Sequence, residues 1–95
     1  MKLVTIVCES YAKEAVKKLL REVGAHGCTL FEVEGVGARG ERPADIREFA
    51  NIQIEVILPA ERAGALLERL QKEFFPRYAM IAYETDVRVL RADKF

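Results

Sequence analysis

Residues 51–58 read Asn-Ile-Gln-Ile-Glu-Val-Ile-Leu, and no other stretch of the chain restricts its conformation so closely. Ile52, Ile54, Val56 and Leu58 alternate with Asn51, Gln53, Glu55 and Ile57. Only an extended strand presents that period of two as one apolar face. Such a strand needs helices to cover the face and neighbours to pair its edges. With 95 residues in all, the chain has material for one hydrophobic core and one domain. A domain of this size is short of buried surface, so association with further copies is a natural way to gain apolar burial.

The rest of the chain supplies what that strand requires. Residues 3–8 form a short β-branched and apolar run ending at Glu9 and Ser10, with Ser10 placed to cap a helix. Ala12, Ala15, Val16, Leu19, Leu20 and Val23 then recur at helical spacing, and Gly24 ends the helix in the left-handed position. Residues 27–33 return to an extended pattern. From Gly35 to Phe49, glycines, Pro43 and dense charge argue against regular structure. After the alternating strand, Pro59 suits the first turn of a second helix with Ala63, Leu66, Leu67, Leu70 and Phe74 on its buried stripe, and Pro76 closes it. A last strand is expected over 79–90. The order βαββαβ predicts a ferredoxin-like α+β fold, an antiparallel sheet with both helices on one face. The other face, carrying Ile57, part of the final strand and several polar residues, then needs other copies of the chain to cover it.

Fifteen basic and fifteen acidic side chains cancel to a net charge of zero. There is thus no global field to draw the chain onto nucleic acid or an anionic membrane. No apolar run is long enough to cross a bilayer, and Met1-Lys2-Leu3 leads straight into a strand; the expected location is cytoplasmic, without membrane insertion. Cys8 and Cys28 lack paired spacing and read as two small buried hydrophobes.

Chemistry has few places to reside. The loop over 35–49 reads as a mobile binding loop for a phosphate-bearing ligand: Gly35, Gly37 and Gly40 allow close backbone approach, and Arg39 supplies a planar cationic fork. A connection of about 15 residues between adjacent strands is uncommon without a function, although the glycines also fit a solvated hairpin. The loop does not open a helix and lacks G-K-[ST], so neither a dinucleotide fingerprint nor a P-loop is present. Arg88 and Arg91 near the chain end are either solvated or a second phosphate-holding pair. His26, the single histidine, reads as an exposed loop residue. Ser10 has a capping role, and Glu32, Glu34, Glu55, Glu84 and Asp86 read as ion-pair partners and not as a metal set. No catalytic residues and no enzyme activity are expected.

The residues also resemble a known family. The run Val23-Gly24-Ala25-His26-Gly27-Cys28-Thr29-Leu30-Phe31-Glu32-Val33-Glu34-Gly35-Val36-Gly37 is similar to the segment of PII signalling proteins from the end of the first helix to the base of the T-loop. Ile54-Glu55-Val56-Ile57-Leu58-Pro59 resembles their third strand and its proline, and Asp86-Val87-Arg88-Val89-Leu90-Arg91 their final strand. The similarity spans nearly the whole chain in order. Three departures refine it: Phe74-Phe75-Pro76-Arg77-Tyr78-Ala79-Met80 lacks the G-D-G-K that nitrogen-regulatory members place around the ATP triphosphate, the loop has no tyrosine for uridylylation, and it is shorter. These features resemble the PII-like branch associated with bicarbonate transporters and carboxysomes.

The resemblance implies a homotrimer with an adenine nucleotide, AMP, ADP or cyclic AMP, in each inter-subunit cleft, and from the branch alone bicarbonate as a second ligand. Carried over by position, Gly27, Cys28 and Thr29 border the adenine with Ile57 against the base; Gly35, Val36, Gly37, Ala38 and Arg39 wrap the phosphates, and Arg91 reaches them from the last strand. Ligand-dependent ordering of the loop then regulates a partner, a membrane transporter or a carbon-metabolism protein. The competing readings are another ferredoxin-like sensor of an amino acid or metal, an acylphosphatase-type enzyme, and a structural oligomer whose loop is a tether. The metal sensor lacks clustered histidines or cysteines, and the enzyme lacks an anion-binding loop after the first strand, where Glu9-Ser10-Tyr11 stands.

Overall fold

The computed structural model describes residues 1–37, 40, 41 and 51–95. Strand β1 is Lys2–Glu9, α1 Lys13–Glu22, β2 Thr29–Val33, β3 Val36–Gly37, β4 Gly40–Glu41, β5 Asn51–Leu58, α2 Ala60–Arg69 and β6 Met80–Asp86. Four strands form one antiparallel sheet in the order β2-β5-β1-β6, while β3 and β4 pair separately. Both helices carry their buried residues to the sheet's one covered face, the ferredoxin-like α+β arrangement that the periodicities predict.

Registration sorts the side chains. On β5, buried Ile52, Ile54, Val56 and Leu58 alternate without exception with half-buried Asn51, Gln53, Glu55 and Ile57. Ile6 pairs with Ile54 on one side and Ala82 on the other, so residues of one parity share the helix face across the sheet. Val4, Ile6 and Cys8 of β1, Ala12, Val16, Leu19 and Leu20 of the first helical segment, and Ala63, Leu66, Leu70 and Phe74 of the second complete the core. Leu67, expected in that stripe, is half-buried at its edge.

Four local expectations need correction. Ser10 does not cap α1: a 3-10 turn, Ser10–Ala12, intervenes, and the N-cap position falls to Ala12 without a side-chain bond. The second helix does run up to Pro76, as expected, but its last turn, Leu70–Phe74, is of π type and not regular, which keeps Leu70 and Phe74 in the core. β6 ends at Asp86, well short of residue 90, because β1, its only neighbour among the described residues, has run out at Lys2; a bond from Val87 N–H to the Met1 carbonyl at 3.1 Å is the last rung. The loop base is partly regular, since Val36 pairs with Glu41 and Gly37 with Gly40, a short ladder that the glycine-and-charge pattern does not announce. Gly24, at φ +82°, takes the expected left-handed position.

Candidate functional site

The carried-over residues fall at two ends of β2. Gly27 and Cys28 are exposed in the α1–β2 connection and Thr29 opens β2, whereas Gly35 follows the other end of the strand and Val36 and Gly37 form β3. From Thr29 to Val33 the strand spans five residues, roughly 13 Å at strand rise. Ala38 and Arg39 lie outside the described residues, as does 42–50 of the loop.

Ile57 belongs with the first group. Thr29 pairs with Glu55, and Ile57 lies two positions farther along β5 on the same face, the one without helices. Arg91 joins them by an indirect route. The segment after β6 starts at the far edge of the sheet, beside Met1, and reaches the α1–β2 connection, where His26 Nδ1 donates to the Lys94 carbonyl at 3.0 Å. A carbonyl only accepts, so this bond places a proton on Nδ1. The tail thus crosses the end of the sheet with both its ends anchored there. Arg88 and Arg91 lie in sequence between these two anchors. They stand on an irregular tail and not on the last strand, because that strand has already lost its partner. His26 anchors this tail, a role that was not legible in the sequence: its partner is a backbone carbonyl 68 positions away.

Steric freedom differs between the glycines. A Cβ on Gly27 would meet nothing within 4 Å, so nothing inside the protomer excludes a side chain there and the space is open to an outside group. A Cβ on Gly35 would stand 3.2 Å from Asn51 Nδ2, so that position is tied to its own sheet. Beside Gly27 and Cys28 lies a small hollow of about 180 Å³, bordered on α1 by Lys17, Leu20 and Arg21. The Arg62 guanidinium donates to the Gly24 carbonyl at 3.1 Å and braces the turn that leads into it.

Charged groups near the tail act structurally. Lys2 Nζ lies 2.6 Å from Asp86 and 4.0 Å from Glu84. The ion pair with Asp86 raises the Lys2 ammonium above its ordinary range and holds the Asp86 carboxyl below its own. Glu55 accepts a bond from Gln53 at 3.4 Å. Cys8 is buried, and burial pushes its thiol up to about 11. Cys28 corrects the expectation of a buried thiol: it is exposed, because the α1–β2 connection passes outside the core. Among the described residues no group of three or more His, Cys, Asp or Glu side chains is arranged to hold a metal, and no helix is long and apolar enough to cross a membrane.

The open face of the sheet is the largest unexplained surface. Phe31, Ile81 and Tyr83 are 40%, 59% and 50% exposed on it; Phe31, Gln53, Val7 and Ile81 form one row across the strands, Thr29, Glu55, Thr5 and Tyr83 the next, and Ile57, Leu3 and Thr85 a third. Large exposed apolar side chains set among polar ones in this way suit an interaction surface.

Comparison with known proteins places these features in context. The family model described as Nitrogen regulatory protein P-II matches residues 1–94. A PII-like signaling protein from Thermus thermophilus is 44% identical, with 99% of this chain and 93% of that chain covered and a TM-score of 0.87. CPII, a nitrogen regulatory PII-like protein from Thiomonas intermedia bound to ADP, AMP and bicarbonate, is 31% identical over 99% of this chain and 92% of that one, TM-score 0.89. The same protein bound to ADP and bicarbonate gives 32% identity, the same coverage and a TM-score of 0.88.

Proposed function

The chain belongs to the nitrogen regulatory P-II family, whose members are trimeric signalling proteins, and on that premise we propose that it binds an adenine nucleotide, ADP or AMP, in clefts between the subunits of a homotrimer. The observation that carries this reading is the separation of the candidate residues. Gly27, Cys28, Thr29 and Ile57 lie at one end of the sheet, with Arg91 on the tail anchored at that end, while Gly35, Val36 and Gly37 stand at the other end of β2. Two copies placed edge to edge bring one group against the other, and the exposed apolar side chains of the open face supply the burial that holds the copies together.

The parts then have distinct tasks. Open space over Gly27 admits the nucleoside, with Ile57 as an apolar surface for the base. Backbone N–H groups of the loop base, with Arg39 and Arg91, hold phosphate by charge-assisted bonds. Those bonds offset the entropy of fixing the loop, so occupancy selects a loop shape for a partner to read. Bicarbonate as second ligand, and a partner in inorganic-carbon metabolism such as a transporter, are supported by the ligands of CPII.

A thermal-shift panel tests the reading. ADP at about 100 times its Kd stabilises by about 2.7 kcal/mol, a Tm rise of several degrees for a domain of this size, and Arg39→Ala reduces the shift while the trimer persists. Absence of any shift at millimolar ADP, AMP and cyclic AMP refutes it.

A further inference from the structure

On the side of the molecule away from the open sheet face, α1 and the end of the second helix leave a groove of about 480 Å³. Its floor is apolar: Ala15 and Leu19 from α1, Phe74 and Tyr78 from the other side. Tyr78 is wedged between two rings, 5.6 Å from Phe74 and 5.5 Å from Tyr11 by centroids, so the aromatic wall is preorganised.

The rim charges are unequal in their commitments. Both carboxylates that line the groove, Glu22 and Glu73, accept from one guanidinium, that of Arg69, at 2.8 Å. Lys72, which lines the groove too, is bonded at 2.9 Å to Glu68, a carboxylate that does not line it. Lys18 and Arg77 also line it, both exposed, and neither is within ion-pair distance of a carboxylate among the described residues; Arg77 acts on Glu73 only at longer range. Negative charge in the groove is therefore already consumed, and two cations flank an aromatic floor. Aromatic and arginine side chains around a concave surface are the composition of protein-binding hot spots.

We propose that this groove is a docking site for an acidic segment of a partner protein: a glutamate- or aspartate-rich peptide with one apolar anchor residue seated on Phe74 and Tyr78 between Lys18 and Arg77. Charge complementarity selects the occupant, since an anionic segment meets two cations without ion-pair partners and a basic one meets repulsion. The groove's availability rests on the trimer reading, in which copies cover the opposite face of the sheet. Partner contact is then not confined to the loop: the groove holds the partner in place whether or not nucleotide has shaped the loop.

The probe is a short labelled peptide alternating glutamate with leucine and phenylalanine, titrated into the isotopically labelled full chain. Backbone amide shifts are expected at Lys18, Phe74, Arg77 and Tyr78, weakening as salt is raised. The double substitution Lys18→Glu, Arg77→Glu should weaken binding about tenfold or more. Lys13→Glu, the same charge reversal elsewhere on α1 and outside both hollows, should leave it within about twofold. ADP binding and molecular mass, measured on the same samples, report separately on the nucleotide and trimer reading. The proposal is overturned if the shifts fall outside the groove, if affinity survives the double reversal, if a lysine-for-glutamate peptide binds equally well, or if inorganic phosphate or anionic vesicles move the same amides.

Discussion

The two faces of the sheet are made by the same strands and differ in what they are for. β5 sends Ile54 to a side where it is 0% exposed, and sends its neighbours Gln53 and Glu55 to a side where they remain half-buried. On β6 the contrast is sharper still: Ala82 packs against the core while Ile81 and Tyr83, next to it on either side, stand in the open. The helix face is satisfied within the protomer. The open face leaves Phe31, Ile81 and Tyr83 exposed beside polar residues, and in the proposed trimer other copies cover it. A strand's alternation therefore separates residues that hold the fold from residues that hold the assembly, and substitutions should divide along the same line.

The largest effect is expected on the helix face. Ile54→Ala removes buried methyl groups from the middle of the core and should cost about 2–5 kcal/mol in denaturant unfolding; a loss below about 1 kcal/mol would place the core elsewhere. On the open face, Ile81→Asp puts a carboxylate where a neighbouring copy packs, at a desolvation cost that an apolar interface does not repay. Monomers with unchanged far-ultraviolet dichroism should then replace trimers in ultracentrifugation. An intact trimer carrying Ile81→Asp would remove that face from the interface.

The two cysteines offer a gentler version of the contrast. Cys8, in the core with its thiol raised to about 11, is only about one part in a thousand thiolate at about pH 8, so alkylation should reach it only on unfolding. Cys28 is exposed; it should be modified in the native protein and be protected several-fold by ADP. Equal labelling of both thiols would contradict the assignment.

The smallest effect belongs to the sheet's fringe. Asp86 titrates below its ordinary 3.8 and Lys2 above its ordinary 10.5 because each favours the other's charged form. The Asp86 contribution is complete above about pH 3.8 and is lost as pH falls through its lower folded value; that of Lys2 is complete below about pH 10.5 and is lost as pH rises through its higher one. Asp86→Asn should lower Tm slightly between those limits and leave it unchanged in stronger acid, since exposed pairs contribute little.

Periodicity carried the fold, and it did so because burial on the helix face is decided within one protomer. Ile52, Ile54, Val56, Leu58 and the stripe through Ala63, Leu66, Leu70 and Phe74 are all legible as alternation or helical spacing. What escaped depends on distant neighbours. β6 stops at Asp86 because β1 ends opposite it, and no local pattern in 79–90 encodes where another strand ends. The tail's crossing to His26 rests on one backbone carbonyl, which has no residue signature. Ser10 failed as a cap because a 3-10 turn competes for the same residues. For the site, the grouping of Gly27, Cys28, Thr29 and Ile57 follows from register once strand order is known, whereas the place of Arg91 required the path of the tail.

The central claim is that one nucleotide is held by two copies, and subunit mixing tests it directly. Chains carrying Arg39→Ala and chains carrying Arg91→Ala are each expected to bind ADP weakly as pure trimers. If the two arginines that meet one phosphate group come from different subunits, every mixed trimer rebuilds one cleft with both arginines intact, and calorimetry of a refolded equimolar mixture should recover a high-affinity fraction of sites. Recovery of that fraction is the predicted result; a mixture that binds ADP no better than its two components would mean that each site lies within a single chain, contradicting a nucleotide shared between copies.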